Sequence, residues 1–337
     1  MRENRVNELT KKIIAGYRIS RADDRSVFMD TPVEELGEGA YRLQKHFCGN
    51  HIDLCTIVNG RSGRCGEDCK YCAQAGRHKT GVDTYNFMAQ ADLIAHAKAN
   101  QDAGANRFSI VTSGGALSGA EFEQALDAYK EMRRTLSIDL CASHGLLTRS
   151  QFRRLREAGV TSYHHNIETS ERYFPEICTT HSYADRIRTI KAAQAEGLCV
   201  CSGGIIGMGE TWEDRFDMAF ALQELGIESI PLNSLMAIPG TPLEHLAPLS
   251  GEDILRTIAI FRFINPTANI RLGAGRKLLP EVHPPLSRAI CSRRRGRPLP
   301  RIWSSSERWG SPTAMRTAVC HRGRAAHVDI DSFNIYI

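Results

Sequence analysis

The segment SGRCGEDCKYCAQAGR, residues 62–77, places three cysteines within eight positions. Cys65, Cys69 and Cys72 follow a Cys-x3-Cys-x2-Cys spacing, so they cannot all lie on one face of a regular helix or strand. A loop can instead fold around a compact cluster and direct all three thiolates at it, as in iron–sulfur proteins. Zinc is the alternative, but zinc sites usually show paired Cys-x2-Cys units or histidines. The segment therefore predicts a four-iron cluster in which one iron stays open for a substrate.

Around this segment, from about residue 53 to residue 275, short β-branched runs alternate with amphipathic helical runs. This alternation predicts βα units and a parallel sheet. Seven units in succession favour a barrel, although periodicity alone leaves an open doubly wound sheet as the alternative. We predict an α/β fold, a TIM-type (β/α)8 barrel, over residues 53–279. The predicted strands are Leu54–Val58, Arg107–Val111, Ile138–Ser143, Ser162–Ile167, Cys199–Ile206, Ser229–Met236 and Asn269–Leu272.

The two ends of the chain depart from the βα pattern. Residues 1–52 are predicted to form a helical N-terminal extension. Residues 280–337 are rich in Arg, Pro and Ser and show no sustained period, which predicts a disordered tail. Because this tail begins where an eighth βα unit is due, we expect that unit to be disrupted. Our hypothesis is that the tail is translated out of frame; a basic interaction arm is the alternative.

Charge and cysteine content narrow the class of protein. The formal net charge is +5, but residues 276–337 contribute +8 and the preceding 275 residues −3, so the charge does not predict nucleic-acid binding. The sequence contains no run of eighteen apolar residues, so it predicts no membrane span. Eleven cysteines without a recognisable export signal favour metal binding in a reducing compartment over disulfides. We therefore expect a cytoplasmic protein.

The cysteine segment resembles the signature of the radical S-adenosylmethionine superfamily, in which an aromatic residue, here Tyr71, precedes the last cysteine. Over about residues 40–275 the resemblance narrows to the biotin synthases. It is carried by the segments SGRCGEDCKYCAQ, YHHNIETS, CTTHSYADR, VCSGGIIGMGET, IPLNSLMAIPGTPL and IRLGAGR. The resemblance implies that S-adenosylmethionine chelates the open iron of a [4Fe-4S] cluster. One electron then cleaves it to methionine and a 5′-deoxyadenosyl radical.

The resemblance also implies a second iron–sulfur cluster, of the 2Fe-2S or a variant type, deep in the barrel. The family holds it with three cysteines and one arginine. Three of those four positions are matched by Cys141, Cys201 and Arg271. The fourth position is Ser109, and a serine alkoxide is a poorer ligand for this iron than a thiolate. We expect either a substitute ligand, with Cys178 the first candidate and Cys199 a weaker one, or a cluster of different composition.

Further matched positions concern the bound molecules. Positions that match contacts to S-adenosylmethionine are Tyr71, Thr112, Gly114, Gly115, Glu168, Arg186 and Gly204. Asn166 and Asn233 match positions that hydrogen-bond the substrate's ureido ring or the nucleoside. Without the resemblance, these residues would be interpreted as turn, capping or exposed helix positions.

The resemblance implies an enzyme that inserts sulfur between C6 and C9 of dethiobiotin to give biotin. It also implies a reductant such as flavodoxin or ferredoxin, and a homodimer. A radical enzyme acting on another small substrate, such as an amino acid, is one alternative. A non-catalytic iron–sulfur protein is another, although an electron carrier would normally ligate every iron.

Overall fold

A computed structural model describes residues 5–49, 53–279 and 314–319, and only the backbone of the last range. The helices are α1 Arg5–Ile14, α2 Ser26–Asp30, α3 Val33–Cys48, α4 Gln90–Asp102, α5 Gly119–Thr135, α6 Arg149–Glu157, α7 Phe174–Ile177, α8 Tyr183–Ala195, α9 Trp212–Glu224 and α10 Gly251–Ile264, with a 3-10 turn at Arg276–Leu278. The strands are β1 Asp53–Arg61, β2 Arg107–Thr112, β3 Asp139–Ser143, β4 Ser162–His164, β5 Cys199–Cys201, β6 Gly204–Ile206, β7 Ser229–Ser234, β8 Asn269–Leu272 and β9 Ala314–Val319.

Three of the outer helices begin at a reciprocal cap. At Thr148, Ser182 and Thr211 the side chain accepts a hydrogen bond from the backbone N–H of the residue three positions later. The side chain of that later residue accepts a hydrogen bond from the backbone N–H of the capping residue. Such capping boxes satisfy backbone donors that a helix otherwise leaves open. They fix where α6, α8 and α9 start, directly after the loops at one end of the sheet.

The strands from β1 to β8 pair in parallel. The pairing order is β1–β2–β3–β4–β5–β7–β8, and β6 also pairs with β7. Strands β5 and β6 are two halves of the single strand that the sequence predicts at Cys199–Ile206. The strand is interrupted at Ser202 and Gly203, where a Cβ on Gly203 would lie only 1.8 Å from the carbonyl oxygen of Pro231.

This sheet is curled into a half-barrel. Side chains of β1 and β8, at the two ends of the parallel set, line the same cavity as those of the strands between them. The α/β fold and all seven predicted strands are therefore confirmed. In the part of the chain that the structure describes, β1 pairs with β2 and, antiparallel, with β9, and it does not pair with β8. Apart from β9, the tail predicted to be disordered lies outside the described residues.

The N-terminal helices pack on the last long helix. A Cβ on Gly39 of α3 would lie 2.6 Å from Val6 of α1 and 2.8 Å from Phe263 of α10, so the three helices are in close contact. The guanidinium of Arg256 in α10 donates hydrogen bonds to the carbonyls of Phe28 and Thr31 at 2.7 and 2.8 Å. The boundary of the N-terminal extension at residue 52 remains a prediction. Among the described residues, no helix is long and apolar enough to cross a membrane.

Candidate active site

A cavity opens at the end of the half-barrel where the strands finish, and loops from several strands enclose it. Most of the residues predicted from the sequence line it. They are Cys65, Cys69, Tyr71, Cys72, Thr112, Gly114, Gly115, Asn166, Glu168, Arg186, Asn233 and Arg271. Barrel enzymes collect their catalytic groups at this end because the βα loops converge there.

The three cysteines of the segment at residues 62–77 lie in a compact loop after β1. The Cys65 amide donates to the carbonyl of Gln74 at 3.1 Å, and the Cys72 amide donates to the carbonyl of Cys69 at 3.0 Å. Burial raises the pKa of the Cys72 thiol to about 12, because a buried thiolate without a cation loses its hydration. The loop therefore lines the cavity with all three thiols, and the surroundings of Cys72 favour its ionisation only when a metal is bound.

Polar groups that follow β4 line the cavity with Arg186 of α8. The Arg186 Nη1 donates to the carbonyl of Asn166 at 2.9 Å and lies 3.3 Å from the Glu168 Oε1. The side-chain amide of Asn166 reaches the other Glu168 oxygen at 3.3 Å. Glu168 has a left-handed backbone with φ of 68°, a strained conformation for a residue other than glycine. This group offers both a cation and a carboxylate to a zwitterionic ligand.

The turn after β2 brings bare backbone to the cavity. Gly114 has φ of +104°, and a Cβ on Gly115 would lie 2.4 Å from the Glu67 Oε1 in the cysteine loop. The Ser113 hydroxyl donates to the Gly63 carbonyl at 2.8 Å, which ties the turn to the cysteine loop. At the other end of the turn, the Thr112 hydroxyl lies 3.1 Å from His144 Nδ1.

Asn233 and Gly204 lie on the far side of the half-barrel. The Asn233 Oδ1 accepts a hydrogen bond from the Ala274 amide at 3.0 Å, which orients the side chain in the cavity wall. A Cβ on Gly204 would lie 2.2 Å from the Glu168 carbonyl oxygen. Gly204 therefore acts through its backbone, by letting β6 approach the segment that carries Glu168.

Below the cavity, on the inward face of the strands, Cys201 meets Arg271. The Arg271 Nη2 lies 2.8 Å from the Cys201 sulfur, with His164 Nδ1 at 3.4 Å and the Ser229 hydroxyl at 3.6 Å. Burial opposes ionisation of this thiol, but Arg271 and then His164 outweigh it and lower the pKa of Cys201 to about 6. The site thus stabilises a buried thiolate, the form that binds iron.

Two more buried thiols belong to this inward face. Cys141 pairs across β2 and β3 with Ser109, and burial, followed by the neighbouring thiols Cys55 and Cys201, raises the pKa of Cys141 to about 12. Cys55 also acts electrostatically on the Arg271 guanidinium. Cys55 was not predicted from the sequence. In the structure it lies two residues before Ile57, which lines the cavity, and residues two apart in a strand share a face.

The structure does not place Cys178 with this inner set, so its prediction as a second-cluster ligand is corrected. The Cys178 sulfur lies 3.7 Å from the Cys69 sulfur and 3.3 Å from the Asp68 Oδ1. The physical reason is that Cys178 follows α7 at the mouth of the half-barrel, where the cysteine loop folds over it. Cys199 is exposed, whereas Cys201 on the same strand is buried.

Sequence reasoning also missed two polar residues of the cavity wall. Glu67 lies between Cys65 and Cys69, and its Oε2 is 2.6 Å from His181 Nδ1. The other ring nitrogen of His181 lies 3.1 Å from the Arg186 Nε. The sequence places Glu67 and His181 more than a hundred residues apart, so only the fold reveals that they meet.

Comparison with protein families gives two consecutive matches. A model of the radical SAM superfamily matches residues 61–222, and a model of the Biotin and Thiamin Synthesis associated domain matches residues 231–290. The first match begins just before the cysteine loop and ends in α9, and the second begins within β7 and includes α10 and β8. Together they cover every residue described above as lining the cavity from the cysteine loop onward.

Curated relatives and solved structures agree with these matches. The chain is 55% identical over 271 residues to a biotin synthase of Clostridium beijerinckii, covering 80% of this chain and 86% of the relative. It is 53% identical over 274 residues to one of Alkaliphilus metalliredigens, covering 81% and 86%. In fold it resembles a methylornithine synthase, with a TM-score of 0.67, 19% identity and 78% of each chain covered. It also resembles the FeFe-hydrogenase maturase HydG of Carboxydothermus hydrogenoformans, with a TM-score of 0.65, 16% identity and 85% and 68% covered.

Proposed function

Because this chain belongs to the biotin synthase family of radical S-adenosylmethionine proteins, we propose that it inserts sulfur into dethiobiotin to give biotin. The observation that carries the proposal is that one cavity is lined both by the cysteine loop and by Arg271, whose guanidinium contacts a second, separate thiol. Cys65, Cys69 and Cys72 lie at its mouth, and the Cys201–Arg271 pair lies at its inner end. A radical enzyme that needs no second cluster would use only the first set.

The residues at the mouth fit a [4Fe-4S] cluster and S-adenosylmethionine. Three thiols share one short loop and leave one iron of a four-iron cluster without a protein ligand. When bound, the cluster supplies the electron that cleaves S-adenosylmethionine. Arg186 would then pair with the carboxylate of the methionine group, and Glu168 with the ribose hydroxyls. The exposed backbone at Gly114 and Gly115 would accept the ammonium group, because no Cβ blocks the approach.

The inner set fits a second iron–sulfur cluster. We assign Cys55, Cys141 and Cys201 as its thiolate ligands, with Arg271 beside them and Cys55 taking over from the serine at position 109. The Arg271 Nε is buried without a hydrogen-bond partner among the described residues, which fits a guanidinium that would donate to an anionic cluster. Such a cluster would supply the sulfur atom that the product contains.

Between the two sets, the cavity wall would hold dethiobiotin. Asn233 and Asn166 present amides to the cavity, and amides complement a ureido ring because they offer both a donor and an acceptor.

We further propose a flavodoxin or ferredoxin as the source of electrons and a homodimer as the assembly, both on the strength of the family. The second candidate function is radical chemistry on another small substrate. It would use the residues at the mouth of the site and would not need the inner set.

The test is anaerobic reconstitution with iron and sulfide, followed by incubation with S-adenosylmethionine, dethiobiotin and a reductant. We expect biotin together with methionine and 5′-deoxyadenosine, detected by mass spectrometry. A Cys65/Cys69/Cys72→Ala variant should form none of them. Cleavage of S-adenosylmethionine without biotin would favour the other substrate class. No cleavage at all, with both clusters loaded, would leave only a non-catalytic iron–sulfur protein.

A further inference from the structure

His181 lies between a charged residue of the cysteine loop and a charged residue of α8. Its Nδ1 is 2.6 Å from the Glu67 Oε2, and its Nε2 is 3.1 Å from the Arg186 Nε. Only 7% of the His181 side chain and 21% of the Glu67 side chain are exposed. Water therefore has little access to either contact, and hydrogen bonds to charged groups are strong in such surroundings.

The two contacts assign the proton on the imidazole. A guanidinium can only donate, so the Nε2 that faces Arg186 must carry a lone pair. An ionised carboxylate can only accept, so the Nδ1 that faces Glu67 must carry the hydrogen. These two contacts fit a neutral imidazole with its hydrogen on Nδ1, which receives from Arg186 while it donates to Glu67; the same Nδ1 also lies 3.4 Å from the Cys178 sulfur. An imidazolium would set two N–H groups against each other at the Arg186 side.

We propose that His181 is a positioning residue that couples the cysteine loop to the orientation of Arg186. This inference rests on the proposed function, in which Arg186 pairs with the carboxylate of S-adenosylmethionine. His181 does not touch the reacting atoms in this assignment. It acts on the cofactor through the guanidinium that it holds.

The remaining contacts of Arg186 explain why the histidine matters. The Arg186 Nη1 is fixed by the Asn166 carbonyl and lies near Glu168, but a guanidinium anchored at one nitrogen can still tilt. The bond from Nε to His181 supplies a second anchor and sets the plane of the group. A fixed plane restricts the directions in which the remaining N–H groups can donate to a carboxylate, and prior fixation reduces the entropy lost on binding.

Glu67 explains why the coupling would depend on the cluster. Glu67 lies in the loop between Cys65 and Cys69, and its Oε1 packs against Gly115 of the turn after β2. When the thiols of this loop are held by iron, the Glu67 carboxylate is held with them, and His181 is locked through its Nδ1. The loaded loop would therefore prepare Arg186 for S-adenosylmethionine before the cofactor arrives.

The experiment compares three variants of the full, anaerobically reconstituted chain. The readouts are the dissociation constant of S-adenosylmethionine by equilibrium dialysis and the change that it causes in the electron paramagnetic resonance spectrum of the reduced cluster. His181→Ala should weaken binding about tenfold, the loss expected for one hydrogen bond to a charged group, with iron and sulfide at the mouth unchanged. At saturating S-adenosylmethionine its spectrum and kcat should approach those of the wild type.

Thr179→Val is the matched control. Thr179 lies in the same segment and its hydroxyl donates to Asp68 of the same loop, but the structure shows no bond from it to Arg186. Its affinity for S-adenosylmethionine should match that of the wild type. An equal loss in Thr179→Val and His181→Ala would overturn the proposal, because it would reflect a general disturbance of the segment.

Arg186→Ala separates this inference from the function on which it rests. If Arg186→Ala abolishes binding and His181→Ala leaves it unchanged, the role of His181 is wrong and the assignment of Arg186 stands. If Arg186→Ala binds S-adenosylmethionine normally, both fail. If His181→Ala loses its iron, the Glu67→Ala variant is measured in its place. About threefold weaker binding of S-adenosylmethionine by Glu67→Ala would support the coupling, since one hydrogen bond is lost at a distance. Unchanged binding would overturn it.

Discussion

The guanidinium of Arg271 and the sulfur of Cys201 are 2.8 Å apart in the interior of the half-barrel. Both side chains are buried, so neither charge would be tolerated alone. Together they form a compensated pair at the inner end of the cavity, and the other buried thiols of the inward face lie beside it. This arrangement supports the proposed inner metal centre, because a thiolate is the form of cysteine that binds iron.

Cys55 is predicted to be a ligand of the inner cluster. In a Cys65/Cys69/Cys72→Ala background the remaining iron and sulfide report the inner cluster alone. Adding Cys55→Ala should remove most of both, because one of three thiolates is lost and Ser109 is a poor substitute. Iron and sulfide assays with a Mössbauer spectrum provide the measurement.

The matched control for this experiment is Cys199→Ala in the same background. Cys199 is exposed, so its removal should leave the inner iron unchanged. Full retention of iron in the Cys55→Ala protein would show that Cys55 is only a buried thiol. Loss of all iron in the triple background itself would remove the second cluster, and sulfur insertion with it.

Cys178→Ala is predicted to leave the inner cluster intact. The side chain lies beside Cys69 and Asp68 of the cysteine loop, whereas the Cys201–Arg271 pair lies on the inward face of the strands. We expect the inner iron and sulfide in the triple background to equal that of the background without the change, whereas Cys201→Ala should lose it. Iron loss with Cys178→Ala would restore Cys178 as an inner ligand.

Gly203→Ala is predicted to destabilise the protein by about 1–3 kcal/mol, a cost typical of overpacking in a tight interior. The added methyl would meet the Pro231 carbonyl oxygen at 1.8 Å, and backbone on β7 cannot move aside without disturbing the β6–β7 pairing. Thermal unfolding of the variant should show a lower Tm. Gly66→Ala, where nothing lies within 4 Å of the added Cβ, should unfold at the wild-type temperature, and equal Tm values for the two variants would contradict the prediction.

The sequence predicted the features that depend on local pattern. The seven strands follow from β-branched runs, and the cysteine loop follows from the spacing of Cys65, Cys69 and Cys72. Cys55 was missed because its neighbours across the sheet are fixed by the register between β1 and β2, where Cys55 pairs with Arg107. Register is a tertiary property, and no local period reports it.

The same limit explains the error at Cys178. The segment was correctly expected after the fourth strand, but its depth relative to the inner set depends on how α7 packs over the barrel mouth. The Glu67–His181–Arg186 chain was invisible for the same reason. Polar residues far apart in the sequence meet only once the βα loops converge. The pairing of β9 with β1 also lay beyond prediction, since the tail carries no strand period.

His144 is predicted to make the protein sensitive to acid. The ring is fully buried between the Tyr129 hydroxyl at 2.9 Å and the Thr112 hydroxyl at 3.1 Å, and burial lowers the pKa of His144 to about 3. An unfolded histidine has a pKa near 6.5. Below that pH the unfolded state therefore binds a proton at His144 that the folded state does not bind. The stability that His144 contributes is therefore complete above about pH 6.5 and is lost as the pH falls toward 3, by at most about 1.4 kcal/mol per pH unit.

In equilibrium urea unfolding, His144→Gln should be less stable than the wild type at pH 7.5, because it disturbs both hydrogen bonds. The difference in the free energy of unfolding between the two proteins should narrow steadily between pH 6.5 and pH 5. Parallel stability curves for the two proteins over that range would mean that His144 takes up its proton at the same pH in the folded and unfolded states, and would contradict the lowered pKa.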